Sequence, residues 1–389
     1  MGLPDMPSVR LGDVLEVQSG FAFKTEYFTS DTGVPLIRIR DLPNTSTEIN
    51  YRGEYREEFI VKQGEYLIGM DGNFRCFRWQ GPRALLNQRV CRLRNFNGSA
   101  DPEYVYYGIA KKLREIEDTT SFMTVKHISA KQVQNIELPL PPLAEQHRIV
   151  DLLSHAEGIV RLRREAQKKA AELIPALFLD MFGDPATNPK GWPTTTLEKV
   201  ALVQGGLQLT KTRAALPLER PYLRVANVHR SRLDLGEIKH IRLSQAEFER
   251  ARLFPGDLLV VEGHGNPNEI GRVAIWDGSI ADCVHQNHLI RARVHADALH
   301  PSYTCEFLNS ASGRQFLLRS GKTTSGLSTI SVSNVKAATI LLPPISHQRE
   351  FAVRFGSVRS VQSQQTAATH KAEATFNALL AQVFSNTSI

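Results

Sequence analysis

The sequence predicts an α+β protein: two mixed α/β domains related by an internal repeat, separated by two long helices that form an antiparallel coiled coil. Three observations lead to this fold class. The string Leu138–Gln146 returns as Ile340–Gln348, short alternating apolar segments precede each copy, and a long heptad pattern follows each copy. Alternation at every second residue indicates strands, whereas apolar residues three and four apart indicate a helix.

The internal repeat extends well beyond those two strings. Val17–Gly20 matches Val203–Gly206 at an offset of 186 positions, and Pro141 matches Pro343 at an offset of 202. Because the offset grows only within the globular parts, small insertions lie there, while the helical segments keep one register. Two similar halves are therefore the better domain count for 389 residues. A duplicated body with diverged surfaces indicates a molecule that binds two similar things at once.

The pattern of each segment sets the predicted domain boundaries. Val90–Arg94 and Leu289–Val294 alternate as strands, and the turn-rich stretch from Gly183 to Trp192 connects the two halves. The predicted parts are a first domain at 1–140, a first spacer helix at 141–182, a linker at 183–194, a second domain at 195–342 and a second spacer helix at 343–389.

The two helical segments have heptad seams that are apolar at both ends and polar in the middle. One seam runs from Ile149 to Met181, and adding 202 gives the second, from Phe351 to Val383. Polar seam positions favour one register and one partner, so we expect the helices to pack on each other. Pro175 predicts a kink or break in the first helix. The alternative is that each helix packs only on its own domain.

The composition is that of an ordinary globular protein, with 42% hydrophobic and 22% charged residues. The N-terminus lacks a signal-peptide pattern, and no apolar run is long enough to span a membrane, so a cytoplasmic location is expected. The four cysteines have no metal-ligand spacing, which fits a reducing compartment. The net charge of +7 favours a polyanionic partner.

No catalytic motif is complete, so we predict no catalytic residues and no metal site. Ser320–Thr323 resembles the end of a phosphate loop, but the required earlier glycine is replaced by Phe316. His285 and His288 lack an obvious third metal ligand. The tetrapeptide typical of base-amino methyltransferases is also absent, since leucine precedes both Pro-Pro pairs. The alternative, a stand-alone nuclease or methyltransferase with an unrecognised site, stays open.

Polar and basic side chains collect in turns at equivalent places of the two halves. Arginine, asparagine and glutamine match guanine and adenine edges in the major groove, and nearby lysine and arginine bind phosphates. The plainer interpretation is that these residues form turns and a solvated surface. The candidate DNA-binding residues of the first half are Lys24, Arg38, Arg40, Asn73, Arg75, Arg78, Asn87, Gln88 and Arg89. Those of the second half are Lys211, Arg213, Arg224, His264, Asn266, Asn268, Arg272, Gln286, Asn287 and His288.

The string Leu140–Gln146, which opens a heptad helix, resembles the specificity subunit of type I restriction–modification systems, as do its second copy, the turn at Asp71–Asn73 and the pair Asn87-Gln88. The resemblance covers essentially the whole chain. It implies that each target-recognition domain reads one half of a split DNA sequence. It also implies that the two helices space the domains and dock two methyltransferase (M) subunits, with restriction (R) subunits left open as further partners. S-adenosylmethionine would belong to those partners, with no cofactor in this chain.

The resemblance assigns the spacer and partner-docking role to the repeated strings. The residues that carry it over are Pro141, Pro142, Leu143, Glu145 and Gln146, with Pro343, Pro344, Ile345 and Gln348 in the second copy. The second copy departs from the first where Ala144-Glu145 becomes Ser346-His347, so its partner contact is expected to differ.

The predicted helices imply a geometry for DNA recognition. About 35 residues at ~1.5 Å each give a rod of roughly 50 Å, or about one and a half turns of B-DNA at ~34–36 Å per turn. We expect two different half-sites separated by an unread gap. Two other interpretations remain: a scaffold with two protein-binding heads, and a specificity subunit of a system that only methylates.

Overall fold

A computed structural model of the chain describes residues 8–119, 126–318, 322–324 and 327–384. The chain forms two compact units. The first unit combines Met1–Arg164 with Ala367–Ile389, and the second is Glu165–Thr366. Each unit therefore contains one globular domain and a part of both long helices. The sequence-based division had placed the helices in segments of their own.

The first unit begins with short strands and ends its globular part with a helix and a strand before the first long helix. Its strands are β1 Ser8–Arg10, β2 Glu16–Ser19, β3 Phe28–Thr29, β4 Val34–Ile37, β5 Asn50–Tyr51, β6 Ile60–Val61, β7 Tyr66–Gly69, β8 Cys76–Arg78, β9 Ala84–Leu86, β10 Val90–Arg94 and β11 Glu137–Pro139. Its helices are α1 Leu11–Val14, α2 Pro102–Thr119, α3 Ala130–Gln134 and the first part of α4 Leu143–Phe182.

Two sheets form the core of the first domain. Antiparallel pairing gives the order β2-β10-β7-β8, and the second sheet has the order β3-β5-β4-β9-β6, in which β4 and β9 are parallel. All four residues of β7 are buried, because helix α2 covers the first sheet through Val105, Ile109 and Leu113. Strands covered on both faces read as continuous apolar runs, which explains the short run at Tyr66–Gly69.

The second unit repeats this order of elements. Its strands are β12 Thr194–Thr196, β13 Ala201–Gly205, β14 Leu218–Leu223, β15 Val228–His229, β16 Arg232–Leu233, β17 Lys239–Leu243, β18 Leu258–Val261, β19 Val273–Ile275, β20 Val284–His285, β21 Leu289–Val294, β22 Lys322–Thr324, β23 Leu327–Thr329 and β24 Thr339–Leu341. Its helices are α5 Leu197–Val200, α6 Gln245–Ala251, α7 Pro301–Asn309, α8 Ala311–Leu318, α9 Val332–Ala337 and part of α10 Ile345–Phe384.

The sheet topology shows that the repeat is structural. The order β13-β21-β18-β19 corresponds to β2-β10-β7-β8, and the parallel pair β14-β20 corresponds to β4-β9. Each domain also buries an arginine against a glutamine of the repeated Val-Gln pair: Arg92 with Gln18, and Arg291 with Gln204. The predicted α+β class and its two related domains are confirmed.

The long helices pair in antiparallel fashion within each unit. In the first unit Arg164 Nε donates to Glu373 Oε1 at 2.8 Å. In the second unit Gln167 Nε2 donates to Thr366 Oγ1 at 3.2 Å, and Gln362 Nε2 donates to the Ala170 carbonyl at 2.7 Å. The polar middle of both seams is therefore hydrogen-bonded across the pair, as the coiled-coil prediction requires.

Pro175 does not break its helix, so of the kink or break expected there the structure excludes the break. Helix α4 runs from Leu143 to Phe182 with Pro175 inside it. Proline removes one helical hydrogen bond and crowds the preceding turn. Here Ile174, directly before the proline, and Phe178, three positions after it, are almost fully buried, and Phe178 packs into the core of the second unit. Residues 385–389 of the predicted second helix, and Ser320 and Gly321 of the phosphate-loop string, lie outside the described residues.

Candidate nucleic-acid interface

In each domain three strand ends meet at one edge of the antiparallel sheet. In the first domain Gly69, at the end of β7, lies opposite Val90, and Ser19, at the end of β2, lies opposite Cys91. In the second domain Val261 lies opposite Leu289 in the same arrangement. The turns that lead into β10 and β21 are therefore presented at this edge. They contain Asn87–Arg89 and Gln286–His288, which the sequence marked as candidates.

A repeated glycine holds each turn in place. Phe21 N donates to the Leu86 carbonyl at 2.9 Å and Gln88 N donates to the Phe21 carbonyl at 2.8 Å, so the segment after Gly20 lies directly on the turn. A Cβ atom on Gly20 would lie 2.0 Å from the Asn87 carbonyl oxygen. Only glycine permits so close a backbone approach.

The second domain has the same contact. A Cβ atom on Gly206 would lie 2.3 Å from the Gln286 carbonyl oxygen, and Leu207 N donates to the His285 carbonyl at 2.9 Å. The glycine shared by Val17–Gly20 and Val203–Gly206 therefore has one structural function in both halves, which is to seat the turn.

At the edge of the first domain, Asp71, Arg89 and His127 form a cluster of charged and polar side chains. His127 Nδ1 lies 2.6 Å from Asp71 Oδ1, and an Arg89 guanidinium nitrogen lies 3.5 Å from the same oxygen. Arg89 has a φ of +72°, and its carbonyl accepts a hydrogen bond from Met70 N at 2.8 Å. Its side chain is 56% exposed, so the backbone is fixed while the guanidinium faces solvent.

The corresponding place in the second domain carries different groups. His288 follows the turn as Arg89 does, and its carbonyl accepts from Glu262 N at 3.0 Å. His288 Nδ1 lies 3.7 Å from Glu262 Oε2. Burial raises the pKa of the Glu262 carboxyl above its usual range. Thr329, which bridges Gly263, takes the position of His127.

Five first-half candidates are available at the surface, and one is not. Gln88, Arg89 and Asn73 are exposed around the first-domain edge, and Arg40 and Lys24 are exposed elsewhere, with Lys24 3.8 Å from Glu26. Asn87 is only 8% exposed, and its Oδ1 has no hydrogen-bond partner among the described residues.

Three first-half arginine candidates stay predictions, and the structure gives each of them an intramolecular partner. Arg38 pairs with Asp41 at 3.1 Å and also reaches Glu48. Arg75 pairs with Glu117 at 2.9 Å. Arg78 pairs with Glu103 and lies over the Tyr106 ring at 5.0 Å. A guanidinium held by a carboxylate and packed against the fold stabilises the domain, and this role is invisible in a sequence.

Three second-half arginine candidates are paired in the same way and also stay predictions. Arg213 pairs with Glu247 at 2.9 Å, Arg224 pairs with Glu237 at 2.5 Å, and Arg272 pairs with Glu269 at 2.8 Å. Arg272 is also only 5% exposed and donates to the Val225 carbonyl. Burial and these carboxylate partners reduce the access of a phosphate or base edge to the three guanidinium groups.

The remaining second-half candidates lie in two turns and one exposed segment. His264 Nδ1 accepts from Asn266 N, and Asn266 Oδ1 accepts from Asn268 N, both at 3.0 Å. These side chains shape their own turn, as the plainer interpretation expected. Gln286 and Asn287 are half-buried in the second turn, with His288 exposed, and Lys211 is exposed.

The glutamines of the repeated string, for which partner docking stays a prediction, are buried within the chain. Gln146 is fully buried, and its amide donates to the Ser99 and Pro141 carbonyls and accepts from Asp101 N. Gln348 is buried in the same way against Ala298, Pro343 and His300. In this structure they tie the start of each long helix to its own domain and leave no amide group for a partner.

The other residues of the string differ in exposure. Pro141 and Pro343 are buried, and Ile345 is half-buried. Glu145 is held by Arg148 at 2.6 Å. Exposed positions are Pro142, Leu143 and Pro344.

Sequence reasoning missed several surface residues. Leu152, Ile159 and Leu162 of α4 are 42%, 54% and 57% exposed. A seam read at heptad spacing selects Ile149 and Leu153 instead, which are buried in the first unit. The sequence signal for these three exposed apolar residues is that they lie at helix positions outside the heptad seam. Asp71 and His127 were missed as a pair because 56 residues separate them.

Two further findings concern chemistry and environment. Within the described ranges, no group of three or more histidine, cysteine, aspartate or glutamate side chains is placed to hold a metal ion. His285, one of the two histidines considered for a metal, has its Nδ1 3.0 Å from the Ala251 carbonyl inside the core. No described helix combines the length and apolar character that crossing a membrane requires.

Comparison with known proteins shows which proteins this chain resembles. Residues 5–172 match the family described as the type I restriction modification DNA specificity domain. The EcoBI type I restriction enzyme specificity subunit of Escherichia coli is 26% identical over 407 residues, covering 97% of this chain and 85% of that protein. The StySPI specificity subunit of Salmonella potsdam is 24% identical over 402 residues, covering 94% and 85%.

Two solved structures share the fold. The S subunit of a type I restriction–modification system from M. genitalium superposes with a TM-score of 0.58 at 12% identity, over 99% of this chain and 98% of that one. A chain from a type I R-M system, described for its complex assembly and conformational transition, gives 0.57 at 19% identity over 98% of both chains.

Residues 5–172 therefore match the type I restriction modification DNA specificity domain, and nearly the whole chain is similar to specificity subunits of type I restriction enzymes. The likeness to the two solved structures shows a shared fold.

Proposed function

We propose that this chain reads a split DNA site for a type I restriction–modification complex, with one half-site for each domain. The observation that carries the proposal is the pair of equivalent turns at Asn87–Arg89 and Gln286–His288. Both are seated by a repeated glycine at the same sheet edge, yet they present different side chains. A scaffold held constant with variable polar groups at one edge is suited to reading different base edges.

The difference between the turns supports two different half-sites. Arg89 offers a guanidinium, whose paired donors suit guanine, whereas His288 offers an imidazole beside Glu262. The net charge of +7 supplies the phosphate attraction that both half-sites share. The gap between the half-sites would be set by the paired helices.

We further propose that methyltransferase subunits dock on the exposed apolar residues of α4. Leu152, Ile159 and Leu162 face solvent in the first unit, and exposed apolar clusters on a helix mark interaction sites. Methylation with S-adenosylmethionine, and cleavage where restriction subunits join, would take place in those partners. In this chain the described residues would recognise, position and dock.

Selection of bound duplexes from a randomised pool, at near-physiological salt, tests DNA reading. Two enriched short blocks at a fixed gap are expected. Enrichment of no sequence, with binding that simply fades as salt rises, would contradict the proposal and favour a protein-binding scaffold.

Incubating the chain alone with DNA, magnesium and S-adenosylmethionine tests the stand-alone enzyme alternative, for which cleavage or methylation would be the result.

The docking proposal needs its own variants. A double variant that combines Ile159→Asp and Leu162→Asp is expected to reduce co-purification of the methyltransferase subunit at least tenfold, because each new aspartate would bury a charge at the interface. Ser154→Asp, at an exposed polar position of the same helix, is the matched control. Equal binding by both variants would place the docking surface elsewhere.

Restriction of unmodified DNA by the assembled complex distinguishes a restriction system from one that only methylates.

A further inference from the structure

The cluster of Asp71, Arg89 and His127 is built from three segments that are distant in sequence. Asp71 follows β7, Arg89 ends the turn before β10, and His127 bridges Asp71 by an isolated strand contact. Gly72 N donates to the Lys126 carbonyl at 2.9 Å and Ile128 N donates to the Met70 carbonyl at 2.8 Å. The backbone around all three side chains is therefore fixed by hydrogen bonds on both sides.

A carboxylate at this edge requires an explanation. Asp71 is 26% exposed, and a negative charge near DNA opposes phosphate binding. Its contacts supply one: Asp71 Oδ1 lies within 3.5 Å of Arg89 and 2.6 Å of His127. An arginine held by a carboxylate loses little further freedom when it binds a base, and its remaining donors keep their planar fork.

The guanidinium has the geometry for one base in particular. Arginine carries five N–H donors, and the pair with Asp71 leaves donors directed to other partners. Two parallel donors match the O6 and N7 acceptors of guanine in the major groove, which is the commonest specific arginine contact. The side chain is 56% exposed at the edge of the sheet, so it is accessible to a groove.

The second domain supplies a natural comparison. His288 replaces Arg89, Glu262 takes the role of the carboxylate, and Thr329 stands where His127 does in the first domain. An imidazole has at most two donors in a different arrangement and cannot make the same paired contact. The two domains should therefore make different base contacts at the equivalent position of their half-sites.

We propose that Arg89 reads a guanine in the half-site of the first domain, and that Asp71 and His127 are positioning residues that orient its guanidinium. This inference rests on the proposed function. It goes further by assigning one base and one residue, and by giving a role to His127, which the sequence had not marked.

Duplex selection with the whole chain tests the base assignment. The wild type should enrich two blocks, one of them with a fixed guanine whose preference over other bases falls about tenfold or more in Arg89→Ala. All other positions and the second block should be unchanged, and the slope of affinity against salt should stay the same, because a base contact releases few counterions. Uniform weakening of the first block with a shallower slope would show a phosphate contact and overturn the assignment.

The positioning role needs a conservative pair of variants. His127→Gln retains a donor to Asp71 and should keep the guanine preference, whereas His127→Ala should relax it at that one position. Loss of preference in both, or in neither, would overturn the role. Thermal unfolding of each variant excludes misfolding. Should the wild type enrich no blocks, the proposed function itself fails; two blocks that are indifferent to Arg89 contradict only this inference.

Discussion

At the scale of single residues, the same type of side chain has opposite roles in different places. Arg89 is held by Asp71 but is more than half exposed, whereas Arg92 is buried and donates to Gln18 and to the Glu58 and Ile60 carbonyls. The two arginines are three positions apart in the chain. Arg89 ends the turn with a φ of +72°, whereas Arg92 lies within β10, and their different exposure decides which guanidinium can meet a ligand.

His285 makes the second domain sensitive to acid. Burial lowers its pKa to about 4, so below about pH 6.5 the unfolded chain takes up a proton that the folded domain refuses. Stability is fully present above pH 6.5 and falls by up to about 3 kcal/mol as the pH drops towards 4. Urea unfolding of His285→Leu, which copies Leu86 of the first domain, should show a smaller loss between pH 7 and pH 5. The control is His240→Leu at an exposed position, which should lose as much stability between pH 7 and pH 5 as the wild type. If His285→Leu also lost as much stability as the wild type, the prediction would be wrong.

Gly20 should tolerate no side chain. In Gly20→Ala the added Cβ would meet the Asn87 carbonyl oxygen at 2.0 Å, and the displaced turn should lower the free energy of unfolding by about 1–3 kcal/mol. Gly98→Ala is the control, since no atom lies within 4 Å of its added Cβ. Denaturant unfolding compares the two, and equal effects would show that the close approach relaxes without cost.

At the scale of elements, the repeated string is a device for attaching a helix to its domain. Two prolines separate the preceding strand from each long helix, and the buried glutamine near the start of the helix satisfies two carbonyls and one N–H. This requirement explains why the glutamine recurs while Ala144-Glu145 is free to become Ser346-His347.

Removing that glutamine should loosen the helix from the domain. Gln146→Leu leaves the Ser99 carbonyl, the Pro141 carbonyl and Asp101 N without partners in a buried place, which should cost on the order of 3 kcal/mol. Gln348→Leu should have the same effect in the second unit. Gln364→Leu, at an exposed position of α10, is the control. The measurement is thermal unfolding, and a neutral Gln146→Leu would refute the attachment role.

At the scale of the whole molecule, the paired helices provide the proposed spacer. One heptad inserted after Arg164 and one after Thr366 preserve the seam register in both units and add about 10 Å of helix. Duplex selection should then show a gap about three base pairs longer, with both blocks unchanged. A heptad in only one helix puts the seam out of register and should lower stability instead. If the two sequence blocks changed while the gap between them stayed the same, the spacer role would be wrong.

Much of the fold followed from the sequence because it depends on periodicity. Period-two alternation predicted strands such as Val90–Arg94, and the seam from Ile149 predicted the paired helices, because burial of one face requires a regular spacing. The domain boundaries and the DNA-contacting residues stay predictions. Composition and turn residues marked candidates at this sheet edge without separating Arg89, which is more than half exposed, from Arg78, which is paired with Glu103.

The sequence by itself determined the duplication and the fold class, and it carried the resemblance to type I specificity subunits, since these depend on order and spacing along the chain. Only the tertiary structure decided which polar groups are free. Glu103, Glu117 and Glu247 lie far along the chain from the arginines they hold, and His127 meets Asp71 across 56 residues. A charged side chain is available for binding only when folding leaves it exposed, with donors that its partners do not occupy, and that condition is set by contacts between distant segments.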